Sequence, residues 1–171
     1  MKVMDKGVIS EIRKVEDMPI LETGERVHML CAIVGVGGRL NPAQLGEVEL
    51  NFMANRIRDL MRVKETLKEK EDIFFLFMKK ANMEGYLKLI DWYTDLDIIE
   101  REDFIADCID NGIYIEEPPM YGNTTIEQMA DIYETFNIKP VTAYVKFNGK
   151  MQKILNPIIA AEKYVLKLKH H

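Results

Sequence analysis

The sequence predicts an α+β fold in which strands at both ends of the chain enclose a helical insert. Three observations predict it. Extended apolar runs flank a middle in which apolar residues recur every three or four positions. Asn148-Gly149, behind a strictly alternating run, is a strong short hairpin signal. Each β portion alone is too small for a closed core, so a barrel shared by both ends, completed by another chain, is the economical solution. Residues 1–50 then carry barrel strands, a glycine loop and the start of a long helix. Residues 51–112 form the helical insert, and residues 113–171 a linker helix and returning barrel strands.

Residues 6–15 read as the first strand, with Val8, Ser10 and Ile12 alternating against Ile9 and Glu11. Pro19 ends that stretch by fixing its own φ and biasing Met18 away from helix. A turn at Thr23-Gly24-Glu25 leads to a second strand over residues 27–36, apolar on both faces, with His28 as a structural histidine inside it. Asn41 is a good helix cap, Pro42 suits the first helical position, and Gln44 completes a capping box. The helix that follows holds Leu45, Val48, Phe52, Met53, Ile57, Leu60 and Met61 on one stripe, with Arg56, Arg58 and Arg62 among the remaining positions. Helical pattern continues over residues 73–93, interrupted at Gly85. A shorter helix over residues 101–109 ends at Asn111-Gly112.

Residues 113–115 then turn extended before Pro118-Pro119. Thr124-Thr125 caps a helix carrying Ile126, Met129, Ile132, Tyr133 and Phe136. A strand over residues 141–147, the Asn148-Gly149 turn, a short return strand ended by Asn156-Pro157, and a last strand over residues 158–168 complete the chain.

Charge is segregated. Residues 1–83 hold 14 basic against 13 acidic side chains, residues 84–137 hold 2 against 14, and residues 138–171 hold 7 against 1. The formal net charge of −5 therefore averages an acidic middle and a basic end. The two cysteines, Cys31 and Cys108, stand apart from each other and form no CxxC, which argues for reduced thiols over a disulfide framework or a zinc site. No apolar run reaches the ~18–20 residues that span a bilayer, and residues 1–10 lack the apolar stretch of a secretory signal.

Enzyme motifs are scarce. A dinucleotide-binding loop fits poorly at Gly35–Gln44: the sixth position is Leu40, Pro42 interrupts the entry, and alternating βαβ units are missing. The glycines and the following helix start still suit a phosphate, with Arg39 able to add two charge-assisted bonds; a plain tight turn with Arg39 on the surface fits the same residues. Asp95, Asp97 and Glu100 invite a calcium loop, but Glu100 stands where the obligatory glycine belongs. There is no HExxH, GxSxG or P-loop. Lys163, Lys167 and Lys169 share one face of the last strand, where they line a phosphate backbone or solvate an outer face.

The order of these segments resembles one family. Lys6-Gly7-Val8-Ile9-Ser10 followed by Glu16-Asp17-Met18-Pro19 is similar to the NKGVIS…EDMP run of bacterial-type RNA polymerase β subunits. Gly35, Val36, Arg39, Asn41, Gln44 and Glu47 match the family's G-V-P-S-R-M-N-x-G-Q-x-x-E segment. Asn148-Gly149, Asn156-Pro157-Ile158 and the run from Tyr164 to His170 resemble its D-G…P-V-T-V-G…Y-M-L-K-L-x-H stretch. Departures are Ala32-Ile33 in place of Asn-Pro and Gly37-Gly38 in place of Pro-Ser.

The resemblance implies part of a double-psi β-barrel and hybrid-binding region of a DNA-directed RNA polymerase β subunit. Lys6 matches a lysine near the nucleic acid and nascent RNA end. Arg39 matches an arginine directed at the triphosphate of the incoming nucleotide, and His170 a histidine near the initiating nucleotide. Magnesium would be held by the β′ subunit, so the isolated chain is expected to be inactive and to carry no catalytic residue of its own. Implied partners are the β′-type and other polymerase subunits, DNA template, RNA and nucleoside triphosphates, with no membrane, in the cytoplasm of a bacterial cell or phage-infected host. The family's lysine-bearing run before Lys6 and its basic segment after His170 have no counterpart in the chain, as expected of a split, truncated or excised β. A stand-alone interaction module derived from a polymerase subunit is the alternative.

Overall fold

The computed structural model describes residues 8–31, 43–115 and 124–162. It divides into a helical unit over Leu50–Ile138 and a sheet unit built from the segments on either side. The α+β class is as expected.

The described residues form five α-helices: α1, Ala43–Arg62, which belongs to the helical unit from Leu50 onward; α2, Leu67–Ala81; α3, Met83–Thr94; α4, Ile98–Asn111; and α5, Ile126–Thr135. α1 buries Leu50, Met53, Ala54, Ile57 and Met61, spaced as one helical stripe. α2 packs against α3, α4 and α5 through Phe74, Phe77 and Met78. Removing each such phenylalanine from water is worth roughly 1.5–3 kcal/mol. Aromatic edges interlock around it. Phe74 meets Phe104 at 5.6 Å, Phe75 meets Tyr93 at 4.8 Å and Phe77 meets Phe136 at 6.4 Å, all close to perpendicular.

Local chemistry fixes where each helix begins. Thr66, Asp97 and Thr125 open α2, α4 and α5 with reciprocal capping boxes to Glu69, Glu100 and Gln128. Asn82 ends α2 in an extended conformation and caps α3, its side-chain oxygen accepting from the Gly85 amide at 2.9 Å. The break lies at Asn82 rather than at Gly85, which sits inside the first turn of α3. α4 starts three residues earlier than its apolar pattern suggests, because the Asp97–Glu100 box recruits the first turn. It ends, as expected, at Gly112, whose φ of 121° suits glycine. Buried Thr124 donates to the Ala81 carbonyl at 2.9 Å, tying the start of α5 to the end of α2.

The sheet unit is small. Its sheet has the order β1-β2-β3, with β1, Ile20–Leu21; β2, Ala143–Phe147; and β3, Lys150–Lys153. β1 pairs antiparallel with β2 in the register Ile20↔Tyr144, so both ends of the chain do share one sheet. The β2–β3 hairpin turns on Asn148 and Gly149, with φ of 50° and 75°, the geometry expected of Asn-Gly. Val141 and Ile158 exchange backbone bonds of 2.9 and 2.8 Å beside it.

Several expected strands differ. Residues 8–14 have no regular structure and Val15–Asp17 is a 3-10 turn. The alternation there has no core to face, and Val8, Ile9 and Ile12 are exposed. Residues 27–31 are also irregular, with His28 exposed rather than inside a strand; residues 32–36 lie outside the described part. Residues 113–115 are not extended into a strand. Of the last strand only Ile158 makes a bridge, and residues 163–168 lie outside. Among the described residues the sheet has three strands and no barrel closure.

Candidate nucleic-acid interface

Lys6, Arg39 and His170 all lie outside the described residues, as do Asn41, Pro42 and the lysine row at 163, 167 and 169. The helix that the Asn41 cap was expected to open is present as α1. The described part of the sheet unit carries the cations that sequence reasoning passed over.

An open basin of about 400 Å³ is lined by Glu11, Ile12, Arg13, Lys14, Asp17 and Lys146. Its charges are mutually arranged. Lys146 on β2 donates to Asp17 at 3.0 Å, across 129 residues of chain. Arg13 grips Glu11 with two bonds of 2.9 Å. Arg26 donates to the carbonyls of Val15, at 2.6 Å, and Met18, which fixes the 3-10 turn bearing Asp17. The Lys146 ammonium holds the Asp17 carboxyl below its ordinary range, and Asp17 in turn raises Lys146. The Lys146–Asp17 pair fastens the first described segment to the β2–β3 hairpin.

The hairpin is the basic element. Residues 139–153 contain four lysines and no carboxylate. Cross-strand pairs set its side chains: Tyr144 opposite Lys153, Lys146 opposite Met151 and Phe147 opposite Lys150. Every residue of β3 is exposed, and Phe147 stands 59% exposed at the tip. Asn148-Gly149 signalled the turn in the sequence, but nothing there showed that an aromatic would remain outside.

The other candidate groups serve the fold. The basic positions of α1 are spent internally: Arg58 and Arg62 donate to carbonyls at the end of α4, and Arg56 lies over Phe52. Asp97 and Glu100 are capping groups rather than cation ligands. Among the described residues no three His, Cys, Asp or Glu side chains gather as a metal-binding set. Burial pushes the Cys108 thiol up to about 12, and Asp107 adds to the shift. Cys31 is exposed. No helix among the described residues is long and apolar enough to cross a membrane.

Compared with known families, residues 3–171 match the model described as RNA polymerase Rpb2, domain 6.

Proposed function

We propose, since the chain belongs to the RNA polymerase Rpb2, domain 6, family, that it acts as the phosphate-contacting scaffold beside the active centre of the assembled enzyme. Membership makes it part of the second-largest, β-type subunit of a multi-subunit DNA-directed RNA polymerase, a nucleotidyltransferase of transcription, with other polymerase subunits as its partners. The finer assignment is the proposal. Lys6 contacts nucleic acid near the RNA 3′ end, Arg39 the triphosphate of the incoming nucleotide, and His170 the initiating nucleotide. The partner across the active centre is a β′-type subunit, whose carboxylates hold the magnesium. That metal supplies polarisation of the phosphate oxygens when bound. This chain adds charge at fixed positions and keeps the triphosphate oriented. Its strands complete a double-psi barrel in the assembled cytoplasmic enzyme, and the isolated chain is inactive.

The observation that carries this is collinearity. The Lys6 run, the Arg39 loop with its helix, the Asn-Gly hairpin and the terminal Tyr164–His170 run occur in family order across a match covering nearly the whole chain. The sheet unit agrees with a part meant to be covered. Its buried apolar residues include Leu21, Val141 and Ala143, whereas Ile12 is 89% and Leu155 99% exposed.

Arg39→Ala in the assembled polymerase tests the assignment. Losing a charge-assisted contact of about 1.5–3 kcal/mol should raise the nucleotide KM by roughly tenfold or more. Lys6→Ala should slow extension. Unchanged kinetics in both variants would remove the active-centre role while leaving family membership in place.

A further inference from the structure

The β2–β3 hairpin offers a combination that neither sheet stability nor edge protection explains. Lysines on an exposed edge strand commonly discourage unwanted strand pairing. A purely protective edge would not also present aromatic surface, yet Phe147 is 59% exposed on the face it shares with Lys150, while Met151, 48% exposed, and Tyr144, at 37%, lie with Lys146 and Lys153 on the other face. Nor are the lysines all occupied. Lys146 is oriented by Asp17, but Lys150 and Lys153 have no ion-pair partner among the described residues. The tight Asn148-Gly149 turn holds Phe147 and Lys150 as directly opposed neighbours, so a flat apolar ring and a cation project together from the tip.

An aromatic ring beside a cation, at the tip of a two-stranded ribbon free of carboxylates, is the chemistry that accepts a nucleic-acid strand with accessible bases. A base stacks on the ring while the ammonium group meets the flanking phosphate. An acidic peptide could neutralise the lysines but would leave Phe147 without a stacking partner. We infer that the β2–β3 hairpin is a single-strand nucleic-acid contact, with Phe147 as the stacking surface and Lys150, directly opposite it on the same face, as the phosphate ligand. This is a second contact beyond Lys6, Arg39 and His170, and it rests on the proposal that the domain works against nucleic acid.

The test uses the full 171-residue chain and a fluorescently labelled single-stranded 12-nucleotide probe. Its same-sequence duplex and poly-glutamate serve as competitors. Phe147→Ala should weaken the single strand roughly fivefold or more, since stacking on one side chain is worth about 1–3 kcal/mol per base. Lys150→Gln should weaken it about threefold or more at low salt and flatten the slope of log K against log salt by about 0.7, one contact, whereas Lys153→Gln, on the other face, should leave both nearly as they are. Lys150→Arg should restore both, and circular dichroism should match wild type in every variant. In the assembled polymerase, a photo-crosslinker at position 147 should label RNA or single-stranded DNA.

Unchanged affinity and slope would overturn the inference. So would equal competition by poly-glutamate, or a crosslink at position 147 that goes to another subunit with nucleic acid absent. Nucleotide KM and extension rate of Lys6→Ala and Arg39→Ala in the assembled polymerase separate the two proposals. Unchanged kinetics there with binding lost in the hairpin variants keeps this contact and sinks the active-centre assignment; altered kinetics there with hairpin binding unchanged does the reverse.

Discussion

Arg58 donates from Nε to the backbone carbonyl of Ile109 at 3.0 Å, reaching from α1 to the C-terminal end of α4. A second nitrogen of the same guanidinium reaches the Asp110 carbonyl at 2.9 Å, and Arg62 donates to Ile109 as well. The last carbonyls of a helix have no partners within it and carry its negative dipole end, so a cation there is doubly favourable.

Arg58→Ala should therefore destabilise the chain by about 1–2 kcal/mol, less than a fully buried charged bond because Arg62 keeps part of the contact. Urea titration of Arg58→Ala, Arg62→Ala and the double variant would show it. A double variant costing more than the two singles together is the expected sign of shared carbonyls.

Asn82 and Gly85 act as one device. Asn82→Ala removes a side-chain cap and should cost about 1 kcal/mol. Gly85→Ala is more informative, because a Cβ at that site would stand 3.2 Å from the Asn82 side chain. Ordinary helix propensity favours alanine by nearly 1 kcal/mol, so a neutral or destabilising Gly85→Ala would reveal displacement of the cap, read by thermal unfolding.

The Asp17–Lys146 pair predicts an acid-sensitive fastening of the sheet unit. The folded carboxyl titrates below the ordinary 3.8 of aspartate, chiefly because Lys146 donates to it. A depressed acid stabilises above its unfolded value and loses that contribution as pH falls through its folded value. Lys146 is raised above 10.5, so its side of the pair persists through neutral pH and fails only in strong alkali. Following the Asp17 carboxyl carbon by NMR should give a midpoint that moves up in Lys146→Met. An unmoved midpoint would mean that the pair does not form in solution.

The two thiols should separate cleanly. With its thiol pushed up to about 12 by burial, Cys108 has almost no thiolate at pH 8. Iodoacetamide on the native chain should label exposed Cys31 within minutes and Cys108 only after denaturation, as peptide mass spectrometry would show. Equal labelling would mean that the helical unit opens readily.

The helices were legible where capping chemistry was explicit. Thr124-Thr125 announced α5, and Asn148-Gly149 announced the hairpin, because those residues act on their own backbone. The start of α4 was less legible, because the Asp97-x-x-Glu100 box sits among acidic neighbours whose spacing equally suits a cation loop. Strands were less legible. Alternation at Val8, Ile9 and Ile12 specifies a face but not what covers it, and the described chain supplies no cover. The candidate site divides likewise. Lys6, Arg39 and His170 came from the order of motifs, whereas Phe147 needed coordinates to show that its ring stays outside.

The antiparallel register Ile20↔Tyr144 has a consequence for synthesis. β1 leaves the ribosome more than a hundred residues before the strand it pairs with, while α2, α4 and α5 can nucleate at once on their own capping boxes. At roughly 5–20 residues per second, β1 waits about 6–24 seconds for its partner strand β2. During that wait Val8, Ile9 and Ile12 are sticky surface on a nascent chain, an interval in which a chaperone or an already assembled subunit has first access.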